Sequence, residues 1–366
     1  MEPRRINVLI VDDSLAVRAL LRKVLESEKN IESLMTASNG KTALQFITEK
    51  KPDVVILDMN MPEKNGLEVI TEIRAQHINT PIILFSTAGQ APETIKALQF
   101  FQVDFLAKDE AATENALGSS LEDNVKKLRL RLMPKLYQFF NLPQEKPAAA
   151  ATASEEIKTP LRTHFKAPSG YRPDAIAIAS STGGPRALEE IFKDLHHFAD
   201  NKFGPIFITQ HMPAGFTLQL AERLSKVSGL TFKEAKNLEA VKMKTIYIAP
   251  GGYHMEIHVE TDGKLYIALH QKEMRHSVRP SAEYMFESLS PIYKRKILNF
   301  VLTGMGDDGI DGIHVMKKNG ALVVTQTAET CAVYGMPRAI DDSGLSDGSE
   351  NLEMIRKILI DNFLKS

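Results

Sequence analysis

Short apolar runs alternate with helical patterns over two stretches of this chain, and this alternation restricts its fold more than any other feature. Apolar runs of strand length separated by amphipathic helices are typical of a parallel sheet, because each strand needs a crossover helix before the next. In the first stretch, strands are predicted at residues 6–11, 34–37, 54–57, 81–85 and 103–106, with helices at 15–26, 41–49, 67–75, 92–100 and 117–136. We therefore predict a doubly wound α/β domain with a five-stranded parallel sheet over residues 1–125.

The alternation resumes at residue 174 and predicts a second doubly wound α/β domain over residues 174–363. Its predicted strands are 176–179, 205–210, 296–302 and 321–325, and its predicted helices are 187–195, 216–228 and 310–318. Three further runs are predicted to form short antiparallel strands, at 245–249, 254–259 and 264–269. Asp262-Gly263 supplies a turn between the last two, so this domain should contain a local antiparallel hairpin.

Residues 126–173 are predicted to form the end of a helix and an interdomain linker. Residues 142–154 are rich in alanine and proline, and polar sequence with prolines continues to Pro173. Such a composition cannot bury enough apolar surface to stay ordered alone.

Composition limits what the chain binds and where it works. A formal net charge of −1 gives no electrostatic reason to expect nucleic acid or anionic lipid as the main partner. No apolar run approaches the roughly 18 residues of a membrane span. Cys331 is the only cysteine, which excludes an internal disulfide and fits a reducing compartment. We therefore expect a soluble cytoplasmic protein without membrane insertion.

Polar side chains collect at the carboxyl ends of the strands in the first domain. Asp12 and Asp13 follow the first strand, Asp58 the third, Thr87 the fourth and Lys108 the fifth. In a doubly wound sheet these strand ends meet at one edge. Three carboxylates in one place repel each other and need a cation, and their hard oxygen ligands suit Mg²⁺. A lysine and a hydroxyl beside them could hold the oxygens of a transferred phosphoryl group.

Each of these residues alone has a simpler interpretation, since an aspartate after a strand can cap the next helix and a lysine can be a solvated charge. Their joint placement at four strand ends favours a functional site. The stretch resembles a response-regulator receiver domain through Val11-Asp-Asp-Ser14, Thr87, Lys108 and the run Leu57-Asp-Met-Asn-Met-Pro-Glu-Lys-Asn-Gly66. One departure is Asp109 after the lysine, where the family usually has proline.

The resemblance to receiver domains implies a role for each of these residues. Asp58 would accept a phosphoryl group from a sensor histidine kinase, and Thr87 and Lys108 would contact that group. The implied magnesium ligands are Asp12, Asp13, Asp58 and the carbonyl oxygen of Asn60.

A hydroxyl, an imidazole and a carboxylate follow three strands of the second domain. Ser180 and Ser181 follow the first strand, His211 the second, and Asp307 and Asp308 the strand that ends at residue 302. Such groups on one edge suit nucleophilic acyl transfer, because a base must take the proton of a serine hydroxyl and a carboxylate orients that base.

The glycine-rich turn at residues 304–306 could hold an oxyanion with backbone N–H groups, with Met305 as a donor. Spacing alone does not separate Asp307 from Asp308, since either could cap the helix that follows. His211 could be a structural residue at a strand end. A metal site at other histidines, His254 and His258, is disfavoured because no carboxylate or cysteine pattern supports it.

The second domain resembles the protein-glutamate methylesterase/protein-glutamine glutaminase family of bacterial chemotaxis. The shared motifs occur in family order: Ile178-Ala-Ser-Ser-Thr-Gly-Gly184, Thr209-Gln-His-Met-Pro213, Ile248-Ala-Pro-Gly-Gly252, Arg279-Pro-Ser281, Leu302-Thr-Gly-Met-Gly-Asp-Asp-Gly309 and Val333-Tyr-Gly-Met-Pro337. Ser180 lies where the family usually has alanine, and Asp307 falls on a variable position. The implied nucleophile, base, orienting acid and oxyanion donor are Ser181, His211, Asp308 and Met305, respectively.

The resemblance implies a hydrolase that removes methyl esters from glutamate side chains of methyl-accepting chemoreceptors and deamidates glutamines, with no cofactor in the catalytic domain. It also implies that the unphosphorylated receiver covers the esterase site and that phosphorylation weakens this packing. A switchable binding module that has lost the chemistry is one alternative, but no triad residue is lost. A nucleotide-binding domain is another, but the chain has no Gly-x-x-x-x-Gly-Lys-Ser/Thr motif.

Overall fold

The computed structural model describes residues 5–108, 121–140 and 164–365. The chain divides into two compact units, Met1–Ala153 and Ser154–Ser366. Most of the predicted linker, residues 141–163, lies outside the described residues. Within the described ranges, no helix combines the length and the apolar character that crossing a bilayer requires.

The first unit is a parallel sheet with a helix after each strand. Its strands are β1 (Ile6–Val11), β2 (Ile31–Ala37), β3 (Val54–Asp58), β4 (Ile82–Ser86) and β5 (Val103–Ala107). Its helices are α1 (Leu15–Glu26), α2 (Gly40–Lys50), α3 (Gly66–Ala75), α4 (Ala91–Ala97) and α5 (Leu121–Phe140). The strand order β2-β1-β3-β4-β5 confirms the predicted doubly wound sheet. Because the order changes direction between β1 and β3, the carboxyl ends of these strands flank the crevice in which such folds place their sites.

Three element ends in the first unit lie three or four residues from their predicted positions. β2 starts at Ile31 instead of residue 34, because Glu32 and Ser33 are exposed on this edge strand and conceal its beginning. α4 ends at Ala97 instead of residue 100, where the chain continues in i→i+3 turns. α5 continues to Phe140 instead of residue 136, and residues 117–120 of the predicted helix lie outside the described residues.

The second unit contains a seven-stranded parallel sheet and a two-stranded antiparallel hairpin. The strands are β6 (Ala175–Ser180), β7 (Ile206–Gln210), β8 (Thr231–Glu234), β9 (Thr245–Ile248), β10 (His254–Val259), β11 (Leu265–His270), β12 (Ile297–Val301), β13 (Leu322–Gln326) and β14 (Gly348–Glu350). The helices are α6 (Gly184–Phe192), α7 (Phe216–Ser228), α8 (Ala282–Tyr293), α9 (Ile310–Lys318), α10 (Met336–Asp342) and α11 (Leu352–Leu359). The sheet order is β14-β13-β12-β6-β7-β9-β8, with β10 and β11 forming the hairpin. A second α/β domain with a local hairpin is thus confirmed.

The antiparallel prediction for residues 245–249 is wrong. β9 pairs in parallel with both β7 and β8 inside the main sheet. All four of its residues are buried, as expected for a parallel strand covered on both faces. An apolar run this short carries no information about strand direction, which is why the sequence pattern misplaced it.

A row of small residues in β6 allows a helix to pack against the centre of the sheet. Ala175, Ala177 and Ala179 belong to one apolar cluster with Met285 and Phe286 of α8. Close packing of this kind fixes the position of α8 relative to the strand. The order of the sheet changes direction between β12 and β6, so the carboxyl ends of these two strands and of β7 form the edge at which a site is expected.

Candidate functional site

The first unit carries three carboxylates at the point where its strand order reverses. Asp12 and Asp13 follow β1, and Asp58 is the last residue of β3. One oxygen from each lies within 4.8 Å of the others. Asp12 and Asp58 are buried, whereas Asp13 is exposed. The structure therefore brings together Asp12, Asp13 and Asp58, which are three of the four residues predicted to bind magnesium.

Lys108 contacts two of these carboxylates. Its Nζ atom lies 2.8 Å from Asp12 Oδ2 and 2.9 Å from Asp58 Oδ1. Its backbone N–H donates to the carbonyl oxygen of Ser86 at 2.7 Å, which holds the end of β5 beside the end of β4. Burial alone would lower the pKa of the Lys108 ammonium, but the two carboxylates outweigh burial and raise this pKa.

The pocket holds more negative charge than Lys108 neutralises. Burial raises the pKa of Asp58, and the lysine offsets this effect only in part because Asp12 is also close. The backbone N–H of Asn60, the fourth predicted ligand residue, donates to the Asp58 carboxylate. An oxygen-only donor set with excess negative charge fits a hard divalent cation such as Mg²⁺.

Thr87 follows β4 and lies in a loop that one glutamine holds. The Thr87 N–H donates to Gln90 Oε1 at 3.0 Å, and the same oxygen accepts the Ser86 hydroxyl at 2.9 Å. Ser86 Oγ also lies 2.8 Å from Thr94 Oγ1. Gln90 therefore fixes the loop that carries Thr87, and no motif in the sequence indicated this role.

In the second unit, Ser180 and Ser181 differ in environment. Ser180 ends β6, is fully buried, and donates its hydroxyl to Gln210 Oε1 at 2.6 Å. Ser181 is half-buried just beyond the strand, and its backbone N–H donates to the carbonyl oxygen of Thr303 at 3.0 Å. Gly183 follows with a φ of 79°, a left-handed conformation that favours glycine and leads the chain into α6. The side chain that this turn leaves accessible is therefore that of Ser181.

His211 is the first residue beyond β7, beside Ser181 at the edge of the sheet. The register pairs Ser180 with Gln210, the residue before His211. The His211 N–H donates to the Ser180 carbonyl oxygen at 3.0 Å. The His211 Nε2 atom lies 2.8 Å from Asp308 Oδ2. Because an ionised carboxylate only accepts hydrogen bonds, Nε2 carries a proton and Nδ1 remains as the basic nitrogen. Within the described parts of the chain, no hydrogen bond joins the Ser181 hydroxyl to this ring, as is common before substrate binds.

Asp308 is the buried member of the aspartate pair. Besides the His211 ring, its carboxylate accepts the Ser281 hydroxyl at 2.5 Å and the Ala282 N–H at 2.6 Å, both at the start of α8. Burial would raise the pKa of Asp308, but the histidine and these donors outweigh burial and lower this pKa. The Asp307 side chain, in contrast, is 62% exposed. The geometry thus separates two residues that spacing left equivalent.

Glu283 is a buried carboxylate that the sequence analysis missed. Its oxygens accept backbone N–H groups at the start of α9, from Gly309 at 2.8 Å, from Asp311 at 3.3 Å and from Gly312. Burial raises the pKa of Glu283, and these donors offset the effect only in part. His276, Glu283 and Asp311 bring possible metal-ligating atoms together, but the Glu283 oxygens already cap α9. Because α8 was not predicted from the sequence, the role of Glu283 in its first turn was not predictable.

The glycine-rich turn after β12 lies against Ser181. The Gly304 N–H donates to the Val333 carbonyl oxygen at 3.0 Å, and its own carbonyl oxygen accepts the Met336 N–H at 2.9 Å. A Cβ atom at Gly304 would lie 2.8 Å from the Ser181 Cβ, so only glycine fits there. Met305 follows and is half-buried, and its backbone N–H has no acceptor among the described residues. This N–H is available to an oxyanion formed beside Ser181.

His254 and His258 do not share a ligand set, although both lie in β10. His254 is fully buried, and its Nδ1 accepts the Ser281 N–H at 3.1 Å. Burial lowers the pKa of His254 to about 4, with a further effect from the charges of His270 and Arg279. His258 is exposed at the end of the same strand. His254 is therefore a structural residue behind the start of α8.

Two protein families match this chain. The family described as CheB methylesterase matches residues 176–359. The family described as response regulator receiver domain matches residues 8–117. The first match includes the edge formed by β6, β7 and β12, and the second includes the carboxylate pocket.

Relatives match almost the full length of this chain. A protein-glutamate methylesterase/protein-glutamine glutaminase of Clostridium acetobutylicum is 36% identical over 345 residues, which are 94% of this chain and 93% of the relative. A protein of the same name from Pyrococcus abyssi is 34% identical over 359 residues, or 98% of this chain and 93% of the relative. Among solved structures, the CheB methylesterase catalytic domain of Thermotoga maritima is 38% identical, covers 51% of this chain and 97% of that structure, and has a TM-score of 0.49.

Proposed function

The chain belongs to the CheB methylesterase family, and from this premise we propose that it is a protein-glutamate methylesterase that acts on methyl-accepting chemoreceptors. It would remove methyl esters from glutamate side chains, deamidate selected glutamines, and be activated by phosphorylation of its receiver domain. The observation that carries the proposal is the buried Asp308 bound to His211, beside the accessible Ser181.

The proposed reaction begins at the accessible serine. His211 Nδ1 takes the proton of the Ser181 hydroxyl as the serine oxygen attacks the ester carbonyl carbon. The carbonyl oxygen becomes an oxyanion, which the Met305 N–H can bind. Asp308, whose carboxylate form the histidine and the nearby donors favour, keeps the histidine oriented and stabilises its charged form.

The second half of the reaction restores the serine. Collapse of the tetrahedral intermediate breaks the bond to the methoxy oxygen, and His211 returns its proton so that methanol leaves. An ester of Ser181 with the receptor glutamate remains. His211 then takes a proton from water, the hydroxide attacks this ester, and Ser181 departs with the proton, which leaves a glutamate side chain. With glutamine as substrate, ammonia leaves in place of methanol.

For the first unit, we propose that Asp58 accepts a phosphoryl group from a sensor histidine kinase. Its burial beside Lys108 supports this role, because the lysine can bind an oxygen of the incoming group. Thr87, at the end of the neighbouring strand, would contact the same group. When bound, Mg²⁺ would neutralise charge on the phosphoryl oxygens. Its ligands would be Asp12, Asp13, Asp58 and the carbonyl oxygen of Asn60.

Methanol release from methylated chemoreceptor membranes tests the whole proposal. The wild-type chain, Ser181→Ala and Asp58→Asn are each assayed with and without acetyl phosphate and Mg²⁺. We expect release that acetyl phosphate stimulates in the wild type, that is lost in Ser181→Ala, and that is not stimulated in Asp58→Asn. Absence of release from folded wild-type protein, on membranes that a control esterase demethylates, would contradict the proposal and favour a binding module.

A further inference from the structure

A buried side-chain amide connects the residues that carry the proposed nucleophile and base. Gln210 ends β7 and is 1% exposed. Its Nε2 donates to the carbonyl oxygen of Ser181 at 2.9 Å and to that of His211 at 3.3 Å. Its Oε1 accepts the hydroxyl of Ser180 at 2.6 Å. One amide group thus holds the backbone of both residues beyond the end of the sheet.

We propose that Gln210 is a positioning residue for ester hydrolysis and that Ser180 sets the direction of its amide. A glutamine amide has one end that accepts and one end that donates. The Ser180 hydroxyl donates, so it fixes the accepting end and directs the NH₂ group to the two carbonyl oxygens. Gly184 leaves room for this arrangement, since a Cβ atom there would lie 2.0 Å from Gln210 Oε1.

The need for such a residue follows from the end of the strand ladder. The β6–β7 register ends at Ser180 and Gln210, so Ser181 and His211 lie outside it. Ser181 is bound on its other side through its N–H, which donates to Thr303 beyond β12. The His211 N–H also donates to the Ser180 carbonyl oxygen at 3.0 Å, and the Ser181 carbonyl oxygen also accepts the Gly184 N–H at 2.8 Å. It is the Gln210 amide that joins the carbonyl oxygens of Ser181 and His211, and its loss would release this contact. A displacement of about 1 Å between reacting groups can lower a rate by about 10²-fold.

This inference rests on the proposed function, and a fluorophosphonate probe tests it without a receptor. The probe reacts with an activated serine oxygen and releases fluoride, so its labelling rate reports how the base activates the serine. In full-length protein, we expect Gln210→Leu to be labelled about 10- to 100-fold more slowly than the wild type at every pH. Ser180→Ala should be slower by a few fold, because the amide keeps its donors but loses its orienting partner.

Gln210→Glu gives a result that a merely structural role would not give. A protonated glutamic acid has one donor and one acceptor and can replace the amide, whereas an ionised carboxylate has no donor for the two carbonyl oxygens. Relative to the wild type at the same pH, labelling of Gln210→Glu should therefore fall as the pH rises from about 5 to 9. For Gln210→Leu, the labelling rate relative to the wild type should not change with pH.

The outcomes separate this inference from the proposed function. The role of Gln210 would be overturned if Gln210→Leu were labelled at a rate within about twofold of the wild type. It would also be overturned if the labelling rate of Gln210→Glu, divided by that of the wild type, did not change with pH. If Gln210→Leu does not fold, the Gln210→Glu ratio decides the question. No labelling of the wild type, or equal labelling of Ser181→Ala, would overturn the proposed nucleophile and with it the inference.

Discussion

Ser180 and Ser181 are adjacent serines in opposite environments, since the first is enclosed and hydrogen-bonded to Gln210 and the second is accessible. Replacing Ser181 by alanine removes the proposed nucleophile, so turnover should fall by about 10⁴-fold or more. The matched variant Ser180→Ala should keep turnover within a few fold. Methanol release from receptor membranes measures both. Comparable losses in the two variants would contradict the choice of nucleophile.

Asp307 and Asp308 form a second matched pair. Asp308→Asn keeps the size of the side chain but replaces the ionised acceptor that holds His211 Nε2–H, so the ring can adopt the wrong tautomer. We expect a loss of kcat of about 10⁴-fold for this variant. Asp307→Asn should change kcat by less than about threefold, because its side chain is exposed. A large loss in Asp307→Asn with an active Asp308→Asn would reverse the assignment.

At the scale of elements, the first turn of α8 connects the hairpin, Asp308 and α9. Ser281 donates its hydroxyl to Asp308 and its N–H to His254, and Glu283 caps α9. Each donor or acceptor is buried, so each needs its partner. The position of Asp308 therefore depends on how α8 packs on β6.

The burial of His254 should make stability depend on pH. His254 has a pKa of about 4 in the folded chain, below the usual 6.5, so the unfolded chain binds more protons between these values. Stability from this group is fully present above pH 6.5 and is lost as the pH falls toward 4, by at most about 1.4 kcal/mol per pH unit. The neutral ring faces His270, Arg279 and the backbone of Lys272 and Glu273.

Urea unfolding of the full chain from pH 7 to pH 4.5 measures this dependence. The variant His254→Asn keeps a side-chain oxygen that can accept the Ser281 N–H but has no proton to gain. Its unfolding free energy should therefore fall less steeply with decreasing pH than that of the wild type. Identical slopes for the two proteins would show that His254 does not contribute.

Elements whose residues share a periodic pattern were predictable, and those that depend on distant contacts were not. β6, β7 and β12 consist mainly of apolar residues, so their ends and the polar residues after them could be placed from the sequence. β14 is Gly-Ser-Glu and has no apolar residue, so nothing in its own sequence indicates a strand. Among the helices and strands of the described residues, those not predicted are β8, α8, α10, β14 and α11.

The residues of the site likewise divide into those that the sequence predicted and those that it did not. Ser181, His211, Asp308 and Met305 were named from strand ends and family motifs, because these features are local. Gln210, Ser281 and Glu283 make contacts across 26 to 30 residues of sequence, as in Ser180 with Gln210 and Gly309 with Glu283. No local pattern encodes such contacts, so they became visible only in the folded chain.

At the scale of the whole molecule, the proposal requires that the receiver domain control the esterase. Asp58→Asn removes the carboxylate that would accept the phosphoryl group while keeping the side-chain size. In this full-length variant, methanol release with acetyl phosphate should equal release without it, and basal release should remain near that of the wild type. Stimulation that persists in Asp58→Asn would remove this residue from the switch.

Lys108 and its two carboxylate partners also determine how the resting receiver responds to its surroundings. The lysine side chain is 10% exposed, and those of Asp12 and Asp58 are 1% and 3% exposed. Dissolved ions screen the attraction between charges in contact with water, with a screening length of about 8 Å at physiological ionic strength. They act far less on charges enclosed by protein. The resting pocket should therefore be the same in dilute buffer and in concentrated salt. In a cell under osmotic stress, these contacts of Lys108 would then persist while surface ion pairs weaken.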